Sequence, residues 1–152
     1  QLMPQSGAMG YAIPAAVAAK LRHPDRTVVC FIGDGGFQMC GLELATAAQE
    51  GLAIVVIVVS NGMYGTIRAF QERAYPGRVV ASALANPDIP ALARACGAAH
   101  AEAVERTAEF PAALERALAA GGPALLELRV DPETIAPGET ISGLRASATA
   151  GP

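Results

Sequence analysis

Ile54–Ser60 reads IVVIVVS, and with Leu52 and Ala53 ahead of it an unbroken apolar run of eight residues reaches Val59. Its β-branched side chains make it a strand. It does not alternate between apolar and polar residues. A strand with one face in water alternates, so a strand that is apolar on both faces must have both covered, as in a parallel sheet held between helical layers. The run is also far short of the roughly 20 residues that a membrane-crossing helix needs.

The rest of the chain fits a layered sheet of this kind. Thr27–Ile32 (TVVCFI) is a second β-branched segment, Ala99–Val104 a weaker one, and Ala124–Val130 (ALLELRV) the last. Between them, spacing and punctuation predict helices over Tyr11–Leu21, Gly41–Glu50, Thr66–Arg73, Asn86–Ala95 with Pro87 in its first turn, and from a Thr107 cap to Ala120. Strand and helix alternate, which predicts a three-layer α/β/α sandwich with a mostly parallel sheet. From Asp131 onward the sequence is rich in Pro, Thr, Ser and Ala without sustained periodicity. Residues 1–130 therefore read as the domain, and 131–152 as a tail that folds over it or stays mobile.

Composition removes several function classes. A chain of 152 residues suits one domain, and only 16% of them are charged. Eleven basic residues against fourteen acidic ones leave a net charge of −3, with no basic excess for nucleic acid and no polybasic patch for a membrane surface. Two histidines, His23 and His100, are too few for a histidine zinc site or a hydrolase triad. Cys30, Cys40 and Cys96 form no Cys-x-x-Cys pair, so free thiols in a reducing, cytoplasmic setting are expected. The opening Gln-Leu-Met-Pro has no basic region leading into an apolar stretch, so no signal peptide is expected. With no initiating Met, the chain reads as a processed or truncated piece of something longer.

Ligands of open parallel sheets bind outside the carboxyl ends of the strands. The two β-branched strands, Thr27–Ile32 and Ile54–Ser60, lead into Gly33-Asp34-Gly35-Gly36 and Ser60-Asn61-Gly62-Met63-Tyr64-Gly65. Glycines after a strand let backbone N–H groups approach a phosphate. The dinucleotide fingerprint fails at Gln38, and the Gly-Lys-Ser/Thr of an ATP-binding loop is missing. Asp34 is the informative residue. A bare carboxylate would repel a phosphate unless a divalent cation lies between them, and Mg²⁺ takes oxygen ligands of this type. Asn61, 27 residues on and also at a strand end, supplies a neutral oxygen, and the glycines around it allow a backbone carbonyl to turn inward. The two loops together describe a metal-diphosphate clamp.

Gly33-Asp34-Gly35, then 25 residues, then Asn61, with Glu43-Leu44-x-Thr46-Ala47 between, resembles the thiamin-diphosphate motif. The upstream Gly7-Ala8-Met9-Gly10-Tyr11-Ala12-Ile13-Pro14-Ala15-Ala16 is similar to the segment before it in acetolactate-synthase-like enzymes. The likeness covers nearly the whole chain and implies a C-terminal diphosphate-binding domain using thiamin diphosphate and Mg²⁺. It implies Asp34 and Asn61 as side-chain metal ligands and Met63 as a carbonyl ligand. Gly35, Gly36, Tyr64 and Gly65 would meet the diphosphate mainly through backbone N–H groups. Gly7, with Ala8 beside it, would accept from the aminopyrimidine, and Met9 would prop the cofactor into its bent shape. Thr66 and Ile67, with Phe70, belong to a stretch that lines the substrate pocket in relatives; core packing is the alternative for Phe70. The implied activity is that of a lyase or transferase that decarboxylates a small 2-oxo acid, with or without ligation to a second carbonyl.

Departures from the family pattern bear on that activity. Ser60-Asn61 stands where Asn-Asn is usual, which leaves the ligand itself in place. Biosynthetic acetolactate synthases carry Met and Trp where this chain has Thr66 and Phe70, so a decarboxylase of the benzoylformate or pyruvate type is an alternative. The family's activating glutamate is absent and belongs to a pyrimidine-binding domain of the same or a neighbouring chain; Glu43 is not expected to replace it. The resemblance also places another strand and helix before Gln1, and a homodimer or homotetramer as the assembly. A non-catalytic cofactor-binding subunit stays open. A phospho-receiver domain with Asp34 as acceptor would need a lysine at a later strand end, and Lys20, the only lysine, lies in a helix.

Overall fold

The computed structural model describes residues 1–149. Four strands, β1 (Val28–Gly33), β2 (Ile54–Ser60), β3 (His100–Val104) and β4 (Ala124–Arg129), form a fully parallel sheet in the order β1-β2-β4-β3. The helices are α1 (Ala12–Arg22), α2 (Asp34–Cys40), α3 (Glu43–Gln49), α4 (Gly65–Ala74), α5 (Ile89–Ala95), α6 (Phe110–Ala119) and α7 (Ile141–Thr149). The expected α/β/α sandwich is present.

The missing alternation of β2 has its explanation in the core. Ile54, Val56 and Val58 pack with Ile13 and Val17 of α1, Phe37 of α2, Leu44 of α3 and Ile89 of α5. Val55 and Ile57 point the other way, into a second cluster with Ala113 and Ala117 of α6 and Leu126 of β4. Both faces of this central strand are thus dry. β1 is an edge strand with only one covered face: Cys30 and Ile32 are buried, whereas Val29 is 40% and Phe31 67% exposed. The three cysteines are free thiols, and burial pushes the Cys30 thiol up to about 12.

Four local readings need correction. The glycine loop after β1 is not a loop: Gly33 is extended and α2 starts at Asp34, so the glycines occupy a first helical turn. The helix expected over Gly41–Glu50 is α3, which begins only at Glu43 after a turn at Gly41 and Leu42. α5 starts at Ile89, because the Asp88 carboxylate accepts from the Ala91 N–H at 2.9 Å, and Pro90 rather than Pro87 occupies its first turn. Thr107 begins a 3₁₀ turn, Thr107–Glu109, ahead of α6.

Residues 131–149 are more ordered than their composition suggests, and the last three residues of the expected tail, 150–152, lie outside the described residues. Short strands β5 (Thr134–Ala136) and β6 (Glu139–Thr140) form a hairpin, and α7 packs on α4. The contact centres on Glu72 of α4, whose side chain has no exposed surface. Its carboxylate accepts from Arg145 of α7 (Nε 2.9 Å, Nη2 2.6 Å), from Arg68 (3.0 Å) and from the Gly77 N–H (2.9 Å). Arg73 and Glu139 add a surface pair at 2.9 Å. The anchoring partners lie 73 residues apart, a distance at which no local pattern shows in the sequence.

Candidate functional site

β1 and β2 are neighbours in parallel register, with Gly33 opposite Val59. Asp34 therefore emerges beside Ser60 and one residue short of Asn61, at the carboxyl edge of the sheet. The first turns of α2 and α4 open on this edge, and the first N–H groups of a helix have no partner within it. A groove of about 450 Å³ lies there. All twelve site residues expected from the sequence line it: Gly7, Ala8 and Met9 from the N-terminal segment, Asp34, Gly35 and Gly36 from α2, Asn61, Met63 and Tyr64 from the β2–α4 connection, and Gly65, Thr66 and Ile67 from the first turn of α4. Phe70 is 62% exposed, so it is not a core residue, and it lies outside the groove lining.

Asp34 is only 2% exposed. Its Oδ1 accepts from the Gly35 N–H at 2.9 Å, and its Oδ2 from the Gly62 N–H at 2.7 Å and Asn86 Nδ2 at 2.8 Å. Every donor is neutral, and among the described residues no Lys, Arg or His forms an ion pair with it. A buried carboxylate without a countercharge is costly unless a cation is supplied.

The β2–α4 connection is held open by a short two-stranded contact. The Leu84 N–H donates to Gly62 O at 2.8 Å and the Tyr64 N–H to Ser82 O at 2.9 Å, with Met63 and Ala83 as the bridged pair. Met63 is the non-hydrogen-bonded member of this antiparallel pair, so its own N–H and C=O are directed away from residues 82–84. Its N–H takes Asn61 Oδ1 at 3.2 Å. Gly62 makes the turn with φ +70°, a value that a side chain would strain. The residues lining the groove here, Asp34, Asn61 and Met63, can offer a carboxylate, an amide oxygen and a main-chain carbonyl. These are all hard oxygens, which suit Mg²⁺ and offer nothing to a soft metal.

Two expected roles change, the first being that of the Gly35 N–H, which is taken up by Asp34 Oδ1 at 2.9 Å. The Tyr64 N–H, assigned by resemblance to the diphosphate, is committed to Ser82. Tyr64 instead contributes its ring, which lies against Gly35: a Cβ there would meet the ring at 2.4 Å and 2.6 Å. Gly35→Ala should push the ring aside and shift the Met63–Gly65 backbone with it. We expect a loss of about 1–3 kcal/mol in unfolding free energy together with weaker cofactor binding. Thermal melting and calorimetry would check this, and a variant within about 0.5 kcal/mol of native would refute it.

The sequence reading missed three contributors. Asn86 reads in the sequence as a helix start, yet it contacts Asp34 from 52 residues away. Gln38, which served only to exclude a dinucleotide fingerprint, donates to Asn86 Oδ1 at 2.7 Å. Ile135, from the C-terminal hairpin, lines the groove. The Asn-Pro-Asp context of Asn86 carries a turn signal and no sign of a distant carboxylate.

Residues 2–128 match the family model described as "Thiamine pyrophosphate enzyme, C-terminal TPP binding domain". The chain belongs to this thiamine pyrophosphate enzyme family. Thiamin diphosphate (thiamine pyrophosphate) is thus the cofactor of this C-terminal TPP-binding domain. Among relatives, it is 40% identical over 126 residues to an acetolactate synthase of Arthrospira platensis, covering 82% of this chain and 22% of that protein. It is 36% identical to the acetolactate synthase isozyme 2 large subunit of Escherichia coli K12, covering 82% and 23%. A solved thiamine diphosphate-dependent 4-hydroxybenzoylformate decarboxylase of Rhodococcus jostii RHA1 superposes with a TM-score of 0.77 at 37% identity, covering 84% of this chain and 24% of that one. The TPP-binding domain therefore spans less than a quarter of each of these three proteins.

Proposed function

We propose that this domain is the diphosphate-binding part of an acetolactate-synthase-like enzyme acting on a small 2-oxo acid. The observation that supports the reading is that Asp34, Asn61 and Met63 all line one groove, with Asp34 buried and without a countercharge among the described residues. When bound, thiamin diphosphate supplies the group that accepts the electrons released as a 2-oxo acid loses carbon dioxide. This chain's residues grip it. Asp34, Asn61 and Met63 would hold the Mg²⁺, the first-turn N–H groups at Gly36 and Gly65 would take diphosphate oxygens, and Gly35, whose N–H is held by Asp34 Oδ1, would let the diphosphate approach the backbone. Gly7, Ala8 and Met9, across the groove, would seat the aminopyrimidine end. Thr66 and Ile67 would border the substrate.

No residue of the groove is placed as the activating acid: Glu43 is on α3 and does not line it. The activating glutamate is assigned to a pyrimidine-binding domain of the same or a neighbouring chain, within a homodimer or homotetramer. The open β1 edge and the exposed Val29 and Phe31 suit a further strand and covering element. Free thiols favour the cytoplasm, and no helix among the described residues is long and apolar enough to cross a membrane.

A decarboxylase without ligation is the second reading. Thr66 and Phe70 depart from the synthase pattern, and the superposed neighbour is named as a 4-hydroxybenzoylformate decarboxylase. Assays with pyruvate and with benzoylformate, in the presence of Mg²⁺ and cofactor, separate the two. Acetolactate from pyruvate supports the first; an aldehyde as the only product supports the second. The 152-residue chain by itself is expected to be silent and to self-associate. Full turnover by a clean monomer would show that the activating acid has been misplaced.

A further inference from the structure

We propose that Asn86 is a positioning residue for the metal site: it clamps Asp34 Oδ2 so that Oδ1 is presented to the cation. The inference rests on the assignment of Asp34 as a metal ligand. A carboxylate has about four lone-pair sites, two on each oxygen. Oδ2 already receives two donors, the Gly62 N–H at 2.7 Å and Asn86 Nδ2 at 2.8 Å. Oδ1 receives only the Gly35 N–H at 2.9 Å and keeps a site open.

Asn86 is itself held on every polar atom. Its Nδ2 donates to Asp34 and to Ser60 Oγ (3.2 Å), and its Oδ1 accepts from Gln38 Nε2 (2.7 Å). The amide can face only one way, because Asp34 is an acceptor and a flipped amide would set oxygen against oxygen. The backbone is fixed as well. The Leu84 N–H to Gly62 O bond ties the chain just before Asn86, Pro87 restricts it to an extended conformation, and the Asp88 cap of α5 follows.

The residue type is informative too. An arginine or lysine in this place would pair with Asp34 and compete with the metal. An amide satisfies the lone pair and leaves the negative charge for the cation. Outer partners of this kind typically govern 10–100-fold in metal affinity.

The test is a Mg²⁺ titration of the protein at saturating thiamin diphosphate, with cofactor binding read by calorimetry and the melting temperature taken without metal. Asn86→Ala should raise the half-saturating Mg²⁺ about 10–100-fold while the metal-free protein still folds. Gln38→Leu, at an exposed position, should shift it in the same direction by less, and decides the matter if Asn86→Ala folds poorly. Asp34→Asn should remove the Mg²⁺ dependence. If it does but folded Asn86→Ala and Gln38→Leu stay within about twofold of native, Asn86 has only a structural role and the inference fails alone. If Asp34→Asn keeps the native dependence, the ligand assignment fails and takes the inference with it.

Discussion

Asp34→Ala is expected to abolish metal-dependent binding of thiamin diphosphate. Two opposite unit charges 4 Å apart attract by about 4 kcal/mol at an effective dielectric of 20, and a divalent ion in direct contact loses more than that. At 1.4 kcal/mol per decade, the loss is about 1000-fold or greater. Asn61→Ala removes a neutral oxygen and should cost less, although it also frees the Met63 N–H that Asn61 now holds at 3.2 Å. Native protein should bind the cofactor with Mg²⁺ and not in EDTA. Calorimetry finding tight binding in EDTA, or an Asp34→Ala affinity within about tenfold of native, would overturn the metal clamp.

The largest stability effect is expected at Arg145. Removing it leaves the Glu72 carboxylate, which has no exposed surface, with Arg68 and the Gly77 N–H. Breaking a buried pair from one side costs about 3–5 kcal/mol. Arg145 is 43% exposed and partly screened by water, so Arg145→Ala should fall at the lower end, about 3 kcal/mol. For a domain of this size that is roughly 6–12 °C in melting temperature. Arg145→Lys keeps the charge but not the two-pronged contact and should lie between.

The pH dependence has a definite sign. The Arg145 guanidinium, first, and the Gly77 N–H hold the Glu72 carboxyl down from 4.5 to about 2. A depressed folded-state value means that the stabilisation is complete above about pH 4.5 and drains away as the pH falls towards 2. The gap between native and Arg145→Ala should therefore be widest near neutrality and close in acid. Denaturant unfolding at pH 7 and pH 3 measures it, and an unchanged gap would refute the role given to Glu72. The consequence reaches the groove, because α4 carries Glu72 in its last turns and Gly65, Thr66 and Ile67 in its first. Fixing α7 against α4 steadies the helix whose start lines the groove.

What the sequence by itself determined is what short-range physics writes into it. The unbroken apolar β2 demanded two covered faces, and the alternation of strand and helix then required a parallel sheet with its loops on one edge. Glycines flanking an acid at one strand end and an amide at the next marked that edge as the candidate site, since both features are local and tied to the ends of strands. Tertiary structure alone decided the rest. It started α2 at Asp34, where a first helical turn replaces the anticipated loop. It committed the Tyr64 N–H to Ser82, and it ordered the segment after Val130 through a carboxylate and a guanidinium far apart in the chain. It also brought Asn86 to Asp34. A hydrogen bond between such distant residues leaves no period, spacing or composition to read, because its energy depends on where the folded chain returns and not on which residues are neighbours in sequence.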